Sequence, residues 1–138
     1  MLFVRHYRPH RDGRRGATAV EFALTAPIFF LFLLAAFEFG WLNVIRHTAD
    51  NAAYEAARTA IVPGATSAEA RTIANRLLGT VGAQGANVTV TPDPVTTQTK
   101  QVTVAIEIPM NRNGLIVPRF TSKTKINARS TLRTERAE

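Results

Sequence analysis

The feature that most constrains this chain is a long apolar run near its N-terminus. Residues 22–37 contain no charged side chain, and the wider stretch 17–45 contains only Glu21 and Glu38. About 20 apolar residues in a helix cross the hydrocarbon core of a bilayer. Leucine and phenylalanine dominate the run without leaving a polar face, which is typical of a membrane span or a deeply buried helix. Because a chain of 138 residues has no core that could bury such a helix, we expect residues 17–45 to span a membrane.

The distribution of charge predicts how the chain is oriented. More than half of the formal net charge of +7 lies in residues 1–16, where five arginines stand against one aspartate. Basic flanks of a membrane span stay on the cytoplasmic side, so residues 46–138 should be extracytoplasmic. A cleaved secretory signal is the competing interpretation. Such a signal requires small residues at the −3 and −1 positions of the cut, and Leu34-Ala35-Ala36 matches that requirement poorly.

Several classes of function are disfavoured by composition. The chain has no cysteine, which excludes a disulfide framework, a thiolate metal site and a cysteine nucleophile. The part after the basic segment carries an ordinary surface charge without an aromatic platform for stacking bases, so no nucleic-acid partner is expected. No zinc-protease, P-loop, nucleophile-elbow or dinucleotide motif occurs. His47 with Asp50 could hold a metal but fits ordinary surface residues better. We expect neither an enzyme nor a cofactor.

Glu21 is the unusual residue of the apolar stretch. An ionised carboxylate inside hydrocarbon costs roughly 2 to 10 kcal/mol. One interpretation places Glu21 at the cytoplasmic boundary, where Arg14, Arg15 and lipid headgroups neutralise it. The other is that the carboxylate is used to recognise a partner, and the residues alone leave both open.

The order of residues around Glu21 resembles a known signal. A basic stretch is followed by Gly16, small residues, Glu21-Phe22 and the hydrophobic run with Pro27, reading GATAVEFAL over 16–24. This order resembles the class III signal of type IV pilins, and more closely the TadE-like pseudopilins of the tight-adherence pilus system. Glu38-Phe39-Gly40 and the small-residue stretch 51–60 are similar to that family as well.

The resemblance implies specific roles for the N-terminal residues. A membrane prepilin peptidase would cut between Gly16 and Ala17, and a glycine allows a protease to approach the backbone closely. The cut would remove the basic leader 1–16 and leave a free ammonium on Ala17. Glu21, beside Phe22, would then pair with the Ala17 ammonium of a neighbouring subunit. Two buried charges are tolerated when paired and costly when not, so this pair would select the register of assembly.

The resemblance also implies a function and a set of partners. The chain would be a minor pseudopilin of the bacterial inner membrane that acts in assembly or initiation of a tight-adherence pilus, because a major pilin of that system has little beyond its helix. Its partners would be the prepilin peptidase, other pilin or pseudopilin subunits, the inner-membrane assembly platform and membrane lipid. The alternative is an unprocessed, signal-anchored scaffold or binding protein, and a weaker one is a regulatory partner of a membrane enzyme.

Three further residues of the span have predicted roles. Pro27 removes a backbone donor, so it should kink the helix or loosen one turn. Glu38 lies about 25 Å from Glu21 along a helix, which puts it at the outer membrane interface. There it would be solvated or would contact a partner helix. Trp41 is expected to be an interface anchor beside it.

The rest of the chain predicts an α+β module over 46–138. Small residues at helical spacing should extend the first helix to about Ile61, where Pro63-Gly64 ends it. They form a face for packing within the chain or, less favoured, for a partner: Ala49, Ala52, Ala53, Ala56, Ala57 and Ala60. Thr66 and Glu69 read as a capping box for a short second helix over 67–78.

The last third alternates apolar and polar residues. Period-two segments around 88–90, 102–108 and 126–132 predict a three-stranded antiparallel sheet, whose apolar face the two helices can cover. Residues 92–99 should be a polar turn. The longer connection 109–122 has an apolar tip, Leu115 to Val117, expected to tuck under the sheet or, alternatively, to meet a partner. The predicted fold is pilin-like: a long N-terminal transmembrane helix, a short helix and a small sheet.

Overall fold

The computed structural model describes residues 12–96, 98–115 and 118–134, with the side chains of 12–15 excepted. The predicted leader therefore lies largely outside the described residues, as do the side chains of Arg14 and Arg15. The fold is α+β, as predicted. A long apolar helix, a short helix and a three-stranded sheet follow one another along the chain.

Helix α1 (Asp12–Ala60) contains the apolar run. Within the described residues it is the one helix long and apolar enough to cross a membrane, and none of its most apolar window is buried. Its large apolar side chains between Val20 and Phe37 are 38 to 71% exposed. Such a surface is compatible with lipid rather than water, so α1 suggests a membrane anchor. The chain separates into two compact units between Ala35 and Ala36.

Helix α2 (Ser67–Gly79) begins at the predicted capping box. The Thr66 hydroxyl accepts a hydrogen bond from the Glu69 amide at 3.2 Å, and the Thr66 amide donates to the Glu69 carboxylate at 3.0 Å. Two amide donors that a helix start would otherwise leave unpaired are thus satisfied. Between the helices, Gly64 adopts a φ of +87°, which a residue without Cβ accepts readily.

Three antiparallel strands form the sheet in the order β1 (Asn87–Thr91), β2 (Gln101–Pro109) and β3 (Lys125–Arg133). The central strand β2 pairs with both neighbours, so that Val104 faces Val90 on one side and Ser130 on the other. This register puts the apolar members of the alternating pattern on one face, as the period of two predicts. The three predicted strands are confirmed.

One core joins the sheet to both helices. The alanines of α1 and three residues of α2 pack against the apolar face of the sheet, which confirms the interpretation of the alanine stripe as an intramolecular face. Small side chains let a helix lie close to a sheet without voids. The fully or nearly fully buried helical residues are Ile45, Ala49, Ala52, Ala53, Ala56, Ala57, Ala60, Ala70, Ala74 and Leu78.

Asp93 ties the connection between β1 and β2 to helix α2. Its carboxylate accepts a hydrogen bond from the Ser67 hydroxyl at 2.7 Å and forms an ion pair with Arg71. The hydrogen bond from Ser67, and after it the one from Arg71, hold the pKa of Asp93 below its usual range. The ionised carboxylate is thereby favoured in the folded chain.

This linkage predicts a pH-dependent loss of stability for Asp93→Asn. Because the folded-state pKa is lowered, the stabilisation is present above about pH 4 and disappears as the pH falls through the folded-state value. The variant in micelles should therefore unfold at lower urea than the parent at pH 7, and the difference should shrink toward pH 2. Asp50→Asn, at an exposed carboxylate of α1, should show no such change. Equal midpoints for Asp93→Asn and the parent at pH 7 would contradict this role.

Candidate functional site

The predicted processing site lies on an exposed stretch of α1. Gly16 and Ala17 are both exposed and helical. A Cβ added to Gly16 would meet no heavy atom within 4 Å. Alanine would stabilise a helix by about 1 kcal/mol relative to glycine at such a position. Packing in the described fold therefore gives no reason for a glycine here.

Glu21 and Phe22 lie one turn farther along the same exposed stretch. Phe22 is 68% exposed. The Thr25 hydroxyl donates to the backbone carbonyl of Glu21 at 2.9 Å. Among the side chains that the structure describes, none donates to the Glu21 carboxylate. Since the side chains of Arg14 and Arg15 are not described, their predicted neutralisation of Glu21 stays a prediction.

Pro27 lies inside α1, and the helix continues on both sides of it. Because proline has no amide hydrogen, the carbonyl of Ala23 lacks the usual helical donor. The structure does not interrupt the helix here. The predicted kink or loosened turn stays a prediction.

Glu38 holds the connection between β2 and β3 against α1. One carboxylate oxygen accepts from the Phe120 amide at 2.9 Å, the Thr121 amide at 2.6 Å and the Thr121 hydroxyl at 2.7 Å. The other oxygen accepts from the Arg119 amide at 3.2 Å. Three successive backbone donors converge on one carboxylate, and such charge-assisted hydrogen bonds stabilise its ionised form without a basic partner.

Trp41, one turn from Glu38, holds the same connection at a second point. Its indole N–H donates to the backbone carbonyl of Asn113 at 2.8 Å. The Asn113 side chain is buried, donates to the carbonyls of Gln84 and Pro109, and accepts from the Gln84 amide. Asn113 thereby joins the connection to the loop before β1.

These contacts define a junction, comprising Glu38, Phe39 and Trp41 of α1 with residues 113–115 and 118–121. The Phe39 and Phe120 rings complete it, with centroids 6.4 Å apart and planes tilted by 32°. The sequence pattern predicted neither the bonds of Glu38 to residues 119–121 nor the role of Asn113. Asn113-Gly114 is a dipeptide typical of turns, but the neighbouring sequence does not indicate which groups the Asn113 side chain would bind.

The apolar tip of the same connection departs from expectation. Leu115 was expected to tuck under the sheet, yet its side chain is 56% exposed. Ile108 and Met110, which precede the tip in the chain, are the residues buried in the core here. That part of the prediction is wrong, while Ile116 and Val117 lie outside the described residues.

His47 and Asp50 are exposed on α1. In the part of the chain that the structure describes, no three histidine, aspartate or glutamate side chains are grouped as metal ligands would be. The described residues provide an exposed apolar stretch of α1, a carboxylate within that stretch, and a connection between β2 and β3 that is hydrogen-bonded to α1.

Comparison with known proteins agrees with the resemblance seen in the sequence. Residues 16–58 match the family of TadE-like proteins, which is consistent with a TadE-like pilin of a tight-adherence pilus system. The match begins at Gly16 and ends before α2 and the sheet. No curated protein and no solved structure matches the chain significantly.

Proposed function

We propose that this chain is a minor pseudopilin that acts in assembly or initiation of a tight-adherence pilus. The observation that carries the proposal is the TadE-like match over residues 16–58. Its start coincides with the glycine that the fold does not require. The module that follows, with its own core and sheet, is more than a major pilin of such a system needs.

The proposal includes an order of events at the membrane. Residues 17–45 anchor the chain in the inner membrane with the N-terminus in the cytoplasm and residues 46–138 outside. A prepilin peptidase cuts after Gly16. The chain then joins other pilin or pseudopilin subunits and the assembly platform, and either primes the pilus from the membrane or enters the fibre.

Glu21 supplies the recognition step of this proposal. After processing, Ala17 carries an ammonium inside an apolar helix end, and Glu21 carries the opposite charge one turn away. Among the described side chains, none donates to the Glu21 carboxylate. Pairing across subunits satisfies both charges in one register and leaves both unsatisfied in others.

The experiment that tests the proposal is mass spectrometry of the mature N-terminus in native membranes. We expect a peptide that begins at Ala17. Gly16→Val should abolish this peptide, because a branched side chain blocks close approach to the backbone. Gly40→Val is the matched control, since a Cβ at Gly40 also meets no heavy atom within 4 Å, and it should leave processing intact.

The opposite result has a definite meaning. A chain that retains its leader in cells with active prepilin peptidase would contradict the pseudopilin proposal. It would favour the alternative, an unprocessed signal-anchored scaffold or binding protein with the same fold.

A further inference from the structure

The junction contains large apolar side chains that lie outside the hydrophobic core. Phe39, Leu115 and Phe120 are 51, 56 and 47% exposed. They come from two segments far apart in sequence, yet the Phe39 and Phe120 rings are in contact. An apolar surface assembled in this way, when large side chains stay outside the core, marks an interaction site.

The position of the junction along α1 indicates what covers this surface. The uncharged run ends at Phe37, itself 55% exposed. Glu38 and Trp41, which hydrogen-bond to the connection, both lie within about one helical turn of Phe37, or about 6 Å along the helix axis. Phe120, whose ring contacts that of Phe39, therefore lies near the point on α1 where the uncharged run ends and the helix should leave the hydrocarbon.

The polar groups of the junction fit the same environment. The Glu38 carboxylate accepts four hydrogen bonds and the Trp41 N–H makes one, all within the chain. Polar groups that are hydrogen-bonded within the chain do not need water as a partner. Moving them close to lipid therefore costs little free energy. Tryptophan at this level is typical of the aromatic belt at membrane interfaces.

Basic side chains complete the surface. Arg112, Arg119 and Lys123 are exposed on the connection. Arg119 directly precedes Phe120 in the sequence, and both residues are exposed. Lipid phosphates attract such cations, while the apolar side chains enter between the headgroups.

We propose that the junction is a lipid-contact site, in which Leu115 and Phe120 enter the headgroup region of the outer leaflet beside α1. Contact through the connection, a second point besides the helix, restricts how the module tilts and rotates on its anchor. It thus orients the module for whatever subunit it meets. This inference rests on the proposed anchoring of α1 in lipid.

The test uses the full chain, which has no native cysteine. Single-cysteine variants Leu115→Cys, Val62→Cys and Leu33→Cys are labelled with an environment-sensitive fluorophore and reconstituted in phosphatidylethanolamine–phosphatidylglycerol vesicles. Quenching is measured with nitroxide lipids labelled near the headgroup and in the acyl chain. Val62 is the matched control, because it is 55% exposed but lies beyond the end of α1. Leu33 reports anchoring of the helix.

We expect the label at 115 to be quenched at least about twofold more by headgroup-level nitroxide than the label at 62, as for a side chain in the interface. Equal, weak quenching at 115 and 62 with strong acyl-chain quenching at 33 would overturn the lipid-contact site and leave the anchor intact. A blue-shifted label at 115 that no nitroxide lipid quenches, and whose emission depends on the protein-to-lipid ratio, would overturn it in favour of a second copy. Absence of quenching at 33 would overturn the anchor and, with it, this inference.

Discussion

Glu21→Gln should leave the chain in the membrane but weaken its association with neighbouring subunits by at least about tenfold. Removing one member of a buried ion pair leaves the other charge uncompensated, at a cost of about 3–5 kcal/mol. Even about 1.4 kcal/mol of that cost is a factor of ten in the association constant. The uncompensated group would be the Ala17 ammonium of the processed chain. Co-purification of pilus subunits from native membranes measures the change, and pilus counts should fall with it.

A matched control separates this role from a general effect of charge. Asp50→Asn removes a carboxylate from an exposed position of the same helix and should preserve both association and piliation. Membrane insertion of Glu21→Gln should equal that of the parent, since glutamine is cheaper in hydrocarbon than a carboxylate. If Glu21→Gln assembles as well as Asp50→Asn, Glu21 does not select the register, and it is a boundary carboxylate.

Asn113→Ala should cause the largest loss of stability in the α+β module, roughly 2 to 4 kcal/mol. The Asn113 side chain is 5% exposed and serves the Gln84 carbonyl at 2.8 Å, the Pro109 carbonyl at 2.6 Å and the Gln84 amide at 2.6 Å. Alanine would leave these backbone groups without their partner, and each unsatisfied buried group costs about 1–3 kcal/mol. Urea unfolding of the full chain in micelles, followed by fluorescence of its single tryptophan, measures the loss.

The chain offers a close control for this prediction. Asn111 lies two residues earlier, in the 3-10 turn Met110–Arg112, and is exposed. Asn111→Ala should change the free energy of unfolding by no more than about 0.5 kcal/mol. Similar midpoints for the two variants would mean that Asn113 does not hold the connection to the loop before β1.

Most of the secondary structure could be predicted because its signals are local. The capping box at Thr66 and Glu69 joins residues three apart, and the strands were predicted from a period of two within each segment. The alanine stripe of α1 predicted a close packing face, since only small side chains recur there at helical spacing. In α2, Leu78 is buried and Leu77 is half-buried.

The junction could not be predicted in the same way. Glu38 and Thr121 lie 83 positions apart in the chain, and no local pattern links a carboxylate of a membrane helix with three backbone amides of a connection. The sequence suggested solvation or a partner helix for Glu38 because both are common for a carboxylate at a membrane boundary. Backbone amides exist at every residue except proline, so the three amide bonds leave no signal in the identity of residues 119–121. Only the bond from the Thr121 hydroxyl depends on the type of residue.

The N-terminal predictions rest on another kind of information. The roles of Gly16, Ala17, Glu21 and Phe22 were inferred from an ordered motif. The TadE-like match over 16–58 covers these positions, and their roles stay predictions. Among the described residues, a Cβ on Gly16 would meet no heavy atom within 4 Å, as is also true of Gly40 and Gly79. The expected boundary between membrane and module near residue 45 also stays a prediction, because the division at Ala35 and Ala36 separates compact units rather than lipid from water.

The sequence by itself determined the apolar helix, the second helix, the three strands and the side of each that faces inward. Those features follow from the spacing of side chains along a regular backbone, which is a property of the chain alone. Only the tertiary structure decided where the Glu38 carboxylate is bound, why Asn113 is buried and why Leu115 is left outside. Hydrogen bonds and packing contacts form between groups that are close in space, whatever their separation in the chain. These outcomes therefore depend on which donors, acceptors and unfilled spaces are left once the sheet has packed on the two helices.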